Sequence, residues 1–137
     1  AALPALAQVR PTTVLEDATV PRSKIPQMLK ALKEIAKKYN LQIGTFGHAG
    51  DGNLHPTILT DESDKEEMER VNKAVDEIFK TAIELGGTLS GEHGIGMAKA
   101  KYMEWEFGKE GVEVMKKIKD ALDPDHILNP GKMFGGN

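Results

Sequence analysis

The sequence predicts an α+β fold of the ferredoxin-like split β-α-β type, in the order β-α-β-β-α-β, followed by a C-terminal helical extension. Three observations carry that prediction. Two long segments repeat apolar residues at spacings of three and four. Four short segments rich in β-formers lie between turn residues. An Asp51-Gly52 pair sits between two of those strands, which is the strongest short hairpin signal a sequence offers.

Residues 1–10 are weakly patterned and read as irregular. Residues 12–20 hold Thr12, Thr13, Val14, Leu15, Thr19 and Val20 and close at Pro21, so they read as the first strand. Ser23 is placed to cap a helix reaching about Tyr39, with Pro26 in its first turn, where a missing N–H costs little. Ile25, Met28, Leu29, Leu32, Ile35 and Ala36 form its apolar stripe, and Lys30, Lys33, Glu34, Lys37 and Lys38 its solvated face. Residues 41–47 and 53–59 are the second and third strands, joined at Asp51-Gly52. Asp64 or Ser63 caps the second helix, whose stripe runs Met68, Val71, Ala74, Val75, Ile78, Phe79, Ala82 and Ile83 until Gly86-Gly87 stops it. Residues 88–90 form a short fourth strand. Two helices follow, 97–107 and 109–122, the second with Val112, Met115, Ile118 and Leu122 inward. Tyr102, Trp105 and Phe107 read as core or interface. Asp123-Pro124 ends the helical part, and Pro130-Gly131 suits a type II turn. The whole of 1–137 reads as a single domain.

Composition narrows the function. The 18 basic and 21 acidic residues are interspersed and leave a net charge of −3, which argues against a nucleic-acid surface. There is no cysteine, hence no disulfide, thiolate site or thiol nucleophile. No apolar run approaches the roughly 20 residues of a membrane span, and residues 1–7 lack the pattern of a signal peptide. A cytoplasmic setting, with any membrane association made through partner subunits, is the expectation. Neither a dinucleotide-binding G-x-G-x-x-G, nor a P-loop, nor a G-x-S-x-G elbow is present.

Chemistry concentrates in Gly47-His48-Ala49-Gly50-Asp51-Gly52-Asn53-Leu54-His55 and in Ser90-Gly91-Glu92-His93-Gly94. With a two-residue turn at Asp51-Gly52, His48 faces His55 across the hairpin, and two imidazoles so placed can chelate one divalent ion. A third strand parallel to the first and antiparallel to the fourth brings Glu92 to the same end of the sheet. His48, His55 and Glu92 then make a three-ligand set with one position open, suited to zinc and equally to iron or manganese. His93 stands beside it. Asn53 is balanced between a turn role and a ligand role, Asp51 reads as a turn residue, and His126 reads as structural.

Those two blocks, together with Leu-Asp-Pro-Asp-His-Ile-Leu-Asn-Pro-Gly-Lys at 122–132 and Val-Leu-Glu-Asp-Ala-Thr-Val-Pro at 14–21, resemble the C-terminal domain of FAD-linked oxidases of the vanillyl-alcohol-oxidase type. The resemblance is closest to the members that oxidise glycolate or D-lactate. It implies oxidation of a small 2-hydroxy acid to a 2-oxo acid, with FAD and a divalent metal, zinc or manganese, as cofactors. It implies His48, His55 and Glu92 as metal ligands, His93 as the base that takes the substrate's hydroxyl proton, and Asn129 and Lys132 towards the flavin. Thr57 occupies a position where relatives acting on larger acids carry an amide, which places Thr57 beside Asn53 on the substrate side and favours a small acid. Such proteins hold FAD in an N-terminal domain, and no segment here matches one. The expected partners are therefore the FAD-binding domain of the same polypeptide, the hydroxy acid, and other oxidase subunits or an electron acceptor. The family's arginine for the substrate carboxylate is expected just before Ala1. Two other readings stay open: a non-catalytic ferredoxin-like ligand-binding module, and a stand-alone metal-dependent hydrolase with Glu92 as base.

Overall fold

The structure, a computed structural model, describes residues 2–134 and divides into two compact units, 1–91 and 92–137. The fold is α+β, as predicted. The first unit contains α1 (Ala2–Leu6), β1 (Thr12–Leu15), β2 (Ala18–Thr19), α2 (Ile25–Tyr39), β3 (Gln42–His48), β4 (Asn53–Thr60) and α3 (Lys65–Glu84). The short helix α1 lies where the sequence suggested irregular chain, and Leu6 rests over Gly44 of β3.

Strand β4 is the centre of the sheet. It pairs antiparallel with β3 along one edge and with β1 and β2 along the other. All eight of its residues are buried. Side chains alternate across a strand, so Leu54, Ile58 and Thr60 share one face while Asn53, His55, Thr57 and Leu59 share the other. The first face is the helical one: α2 packs on α3 and β3, and α3 also packs on β2 and β4. Its core is Met28, Leu32, Ile35, Ile58, Val71, Ala74, Ile78, Phe79 and Ala82, each 3% exposed or less. Burial of each larger side chain contributes about 1.5–3 kcal/mol. Thr60 Oγ1 donates to Glu67 Oε1 of α3 at 2.9 Å, and Arg10 Nη2 reaches both oxygens of Glu67 at 2.8 Å.

Three expectations are corrected. The third strand is antiparallel to the first, not parallel. The fourth strand shrinks to one antiparallel bridge, Thr19↔Thr88. Because Thr19 also pairs with Asn53, that bridge sits at the Asn53 end of β4, so residues 88–91 reach the expected end of the sheet by a different route. Finally, the first strand is interrupted at Glu16 and Asp17. The pairs Leu15↔Thr57 and Ala18↔Leu54 keep one continuous register across the gap, which sets Pro56 opposite Glu16. Glu16 N–H donates to Pro56 O at 2.9 Å, but proline has no N–H to return the bond.

Helix ends follow their chemistry. Asp64 caps α3, its carboxylate accepting from Glu67 N–H at 2.9 Å. Ser23 does not cap α2. A side-chain cap at Ser23 would bond N–H groups two or three residues on, and the third of those residues is Pro26. The chain instead makes a 3₁₀ turn over Arg22–Lys24, and α2 begins at Ile25 with Pro26 in its first turn.

Regular structure in the second unit starts with a 3₁₀ turn, Ala100–Tyr102, and continues as α4 (Met103–Leu122). Gly108 breaks α4 with φ 64°, so the two predicted helices meet there, the first starting at Met103 rather than 97. Tyr102 is buried and Trp105 is 48% exposed. Ile118 and Leu122, expected inward, are 56% and 78% exposed. At the C-terminal end Asp123 accepts from Ile127 and Leu128 N–H at 3.1 and 3.0 Å and pairs with Lys119. Lys132 N–H returns to Asn129 O across Pro130-Gly131, with Gly131 at φ 74°, the expected type II turn.

Replacing Asp64 by Ala is expected to lower stability by about 1 kcal/mol, the usual worth of such a cap, read as a lower urea midpoint with an unchanged slope. A second outcome concerns acid. Hydrogen bonds from Lys38 (2.6 Å) and the Tyr39 hydroxyl (2.8 Å) hold the Glu77 carboxyl below its ordinary value. A depressed carboxylate contributes stability that is present above its unfolded pKa and lost as pH falls through the folded one. Denaturation midpoints should therefore fall less steeply below about pH 4.3 in Glu77→Gln than in the natural chain; parallel acid limbs would count against this.

Candidate metal centre

The hairpin between β3 and β4 builds the first half of the site. The sequence suggested a two-residue turn with His48 opposite His55. The observed register is His48↔Asn53, Gly47↔Leu54 and Phe46↔His55, so the loop is the four residues 49–52. Asp51 and Gly52 N–H both bond His48 O, at 3.0 and 3.1 Å. Gly52 has φ 78°, and a Cβ there would lie 2.0 Å from Val20 O. Backbone packing, not chain freedom alone, thus requires glycine at the turn.

The register differs from the expected one by two residues, and a slip of two preserves the face. His48 and His55 therefore still lie on one side of the sheet, as diagonal neighbours. Their rings stand edge to face with centroids 5.5 Å apart. His55 is 4% exposed and His48 is exposed. Phe46, directly across from His55, lies against it with ring centroids 5.4 Å apart. The His55 ring nitrogen Nδ1 is 3.4 Å from Glu16 O. A carbonyl only accepts, so in a hydrogen bond between these two atoms Nδ1 is the donor.

Asn53 and Thr57 share that face. Asn53 is 6% exposed, and its Oδ1 is buried without a hydrogen-bond partner, as is Oγ1 of its cross-strand neighbour Thr19. Thr57 is fully buried and donates from Oγ1 to His55 O at 3.4 Å.

Asp17 is a residue that sequence reading passed over as part of a strand. It is fully buried, and its carboxylate accepts from Ser90 Oγ at 2.6 Å and from Gly91 N–H at 3.0 and 3.1 Å. The available signal was a charged residue in the middle of a β-forming run. Gly91 fits between the first strand and β4 because it has no side chain: a Cβ would lie 2.3 Å from Thr19 Oγ1 and 2.7 Å from Asn53 Nδ2. Asp17 thereby fixes the peptide immediately ahead of Glu92.

Glu92 and His93 open the second unit. Both are exposed, and Glu92 Oε1 stands 3.7 Å from His93 Nε2. Asn129 takes the left-handed conformation at φ 49°, and Lys132 Nζ lies 3.4 Å from Met97 Sδ. His126 Nδ1 is 3.8 Å from Asp120 Oδ1, and both side chains are exposed. Among the described residues, no helix is long and apolar enough to cross a membrane.

Comparison with known proteins places the chain. Residues 1–133 match the family described as "FAD linked oxidases, C-terminal domain". Glycolate oxidase subunit GlcD of Bacillus subtilis (strain 168) is 63% identical over 133 residues, covering 97% of this chain and 28% of the relative. D-lactate dehydrogenase of Anaerostipes hadrus is 41% identical over 120 residues, covering 85% of this chain and 25% of the relative. The chain thus spans about a quarter of the length of these curated relatives. Among solved structures, 4-ethylphenol oxidase from Gulosibacter chungangensis, in its isoeugenol complex, shares the fold with a TM-score of 0.60 at 18% identity, covering 90% of this chain and 24% of that one. A matched family description that runs through nearly the whole chain settles membership: the chain belongs to the FAD linked oxidases, as their C-terminal domain.

Proposed function

We propose that this chain is the substrate- and metal-binding part of a flavin-dependent oxidoreductase that converts a small 2-hydroxy acid into a 2-oxo acid. Glycolate and D-lactate are the substrates suggested by the relatives' names. One observation carries the reading: a buried histidine, His55, has its Nδ1 3.4 Å from a backbone carbonyl oxygen and stands edge to face with a second histidine. A core would fill that position with an aliphatic side chain. A metal centre requires a neutral imidazole whose other nitrogen is fixed by a hydrogen bond.

His48, His55 and Glu92 would hold a divalent ion, zinc or manganese. Their side chains offer one ligand atom each, two imidazole nitrogens and a carboxylate oxygen, a donor set of the kind found in catalytic centres with an open position. FAD would be held mainly by a separate domain, with Asn129 and Lys132 on the flavin side. When bound, the ion supplies Lewis acidity at the substrate's oxygens and the flavin supplies a hydride acceptor. His93 would take the hydroxyl proton on a ring nitrogen; an imidazole titrates near neutral pH and so suits base work. The buried Oδ1 of Asn53 supports a role for that residue in receiving a hydrogen bond from substrate. Thr57, at the next position but one past His55 on the same face, would line the same side.

Zinc titration of the full chain is expected to show an affinity at least about tenfold weaker in His48→Ala or Glu92→Gln, since disturbing even an outer partner of a ligand costs that much; equal affinities would sink the ligand set. In the full-length flavoenzyme, His93→Ala should slow turnover of the hydroxy acid by about 10²–10⁴-fold, the usual contribution of a positioned acid–base group. Unchanged turnover there would remove the base assignment.

A further inference from the structure

We propose that Pro56 is a positioning residue for His55: by withholding a backbone N–H from the central strand, it makes the Glu16 carbonyl the acceptor for His55 Nδ1–H and so leaves Nε2 as the ligating nitrogen. The inference deepens the metal reading above and rests on it only for the use made of Nε2.

Proline is rare in a strand paired on both edges, because it cannot donate to the ladder. Pro56 is in such a strand, opposite Thr45 on one side and, in the continuing register, Glu16 on the other. Glu16 N–H bonds Pro56 O at 2.9 Å. In an antiparallel pair of this kind the two residues exchange both bonds. Any other residue at 56 would return an N–H to Glu16 O. Proline cannot, and His55 Nδ1 lies 3.4 Å from that oxygen. The replaced bond comes from the side chain of the adjacent residue, on the face that carries His48. One substitution of backbone chemistry therefore sets a tautomer. The same missing N–H accounts for the interruption of the first strand at Glu16 and Asp17, so two separate features have one cause.

The test uses the full chain, ¹⁵N-labelled and metal-free, at mildly alkaline pH. The His55 ring should show a protonated Nδ1 and an unprotonated Nε2. In Pro56→Ala the new amide competes for Glu16 O, so the ring should relax towards a mixture of tautomers, and zinc affinity should fall about tenfold, as for loss of an outer partner. A natural chain with His55 protonated on Nε2 overturns the proposal, as does a Pro56→Ala ring identical to the natural one. Should Pro56→Ala fail to fold, scalar coupling across the Nδ1–H···O=C bond to the Glu16 carbonyl carbon, measured in the natural chain, decides the same point: its absence counts against the bond. If the tautomer is as stated but zinc does not bind, the metal reading fails and the positioning of His55 by Pro56 stands.

Discussion

The pairing of β4 along both of its edges is the constraint on which the first unit depends. A strand with neighbours on each side and all eight residues buried has no solvent with which to correct an error. Each N–H, each carbonyl and each polar side chain must find a partner or cost about 1–3 kcal/mol. That pressure sorts the residues. Leu54, Ile58 and Thr60 turn to α2 and α3, where Thr60 is satisfied by Glu67. Asn53, His55 and Thr57 turn to the other face, where His55 uses Glu16 O and Thr57 uses His55 O. His55 and Thr57 are therefore tied to backbone groups of their own sheet, which holds these two side chains in position without help from long, flexible partners.

The same constraint links the hairpin to the segment that leads into the second unit. Asp17 lies on the interrupted part of the first strand and is fully buried. A carboxylate there is tolerable only when hydrogen-bonded, and Ser90 and Gly91 supply those bonds. Gly91 is admitted so close to Thr19 and Asn53 because it has no side chain. Strand pairing, a buried acid and one glycine together determine where the chain leaves the sheet.

Most of this architecture was legible from the residues. Helices α2 and α3 follow from their apolar spacing, and Gly108 divides α4 where two helices were expected. The errors have physical sources. The hairpin register was displaced by two because Asp51-Gly52 suggests a tight turn, whereas Gly52 is bound to the Val20 strand end through its own carbonyl at 3.0 Å and the loop takes four residues. The face survived because side chains alternate with period two. The parallel direction assigned to the third strand was wrong, and residues 88–91 arrived at the right end only because the fourth strand is a single bridge. Ile118 and Leu122 show a different limit. Helical periodicity tells which residues share a face, not what covers that face. Asp17 was hidden inside a β-forming run, and no spacing rule marks a buried acid whose partners lie more than 70 residues away.

Residues 53–56 break three rules of a stable sheet in four positions. Asn53 buries an oxygen without a partner, His55 buries an imidazole, and Pro56 removes a ladder donor from a strand paired on both edges. Each departure costs on the order of 1 kcal/mol or more, and Val or Ile at these positions would suit the sheet better. Two of the departures compensate one another, since the carbonyl that loses its proline partner orients the histidine. The third does not, and no neighbouring side chain relieves it. Rule-breaking that is clustered within four consecutive positions and partly self-compensating is the pattern expected where a fold gives up stability for chemistry. The alternative, accumulated imperfection, would not set three such departures side by side; the neighbouring side chains of Leu54, Ile58 and Thr60 in the same strand are apolar or hydrogen-bonded.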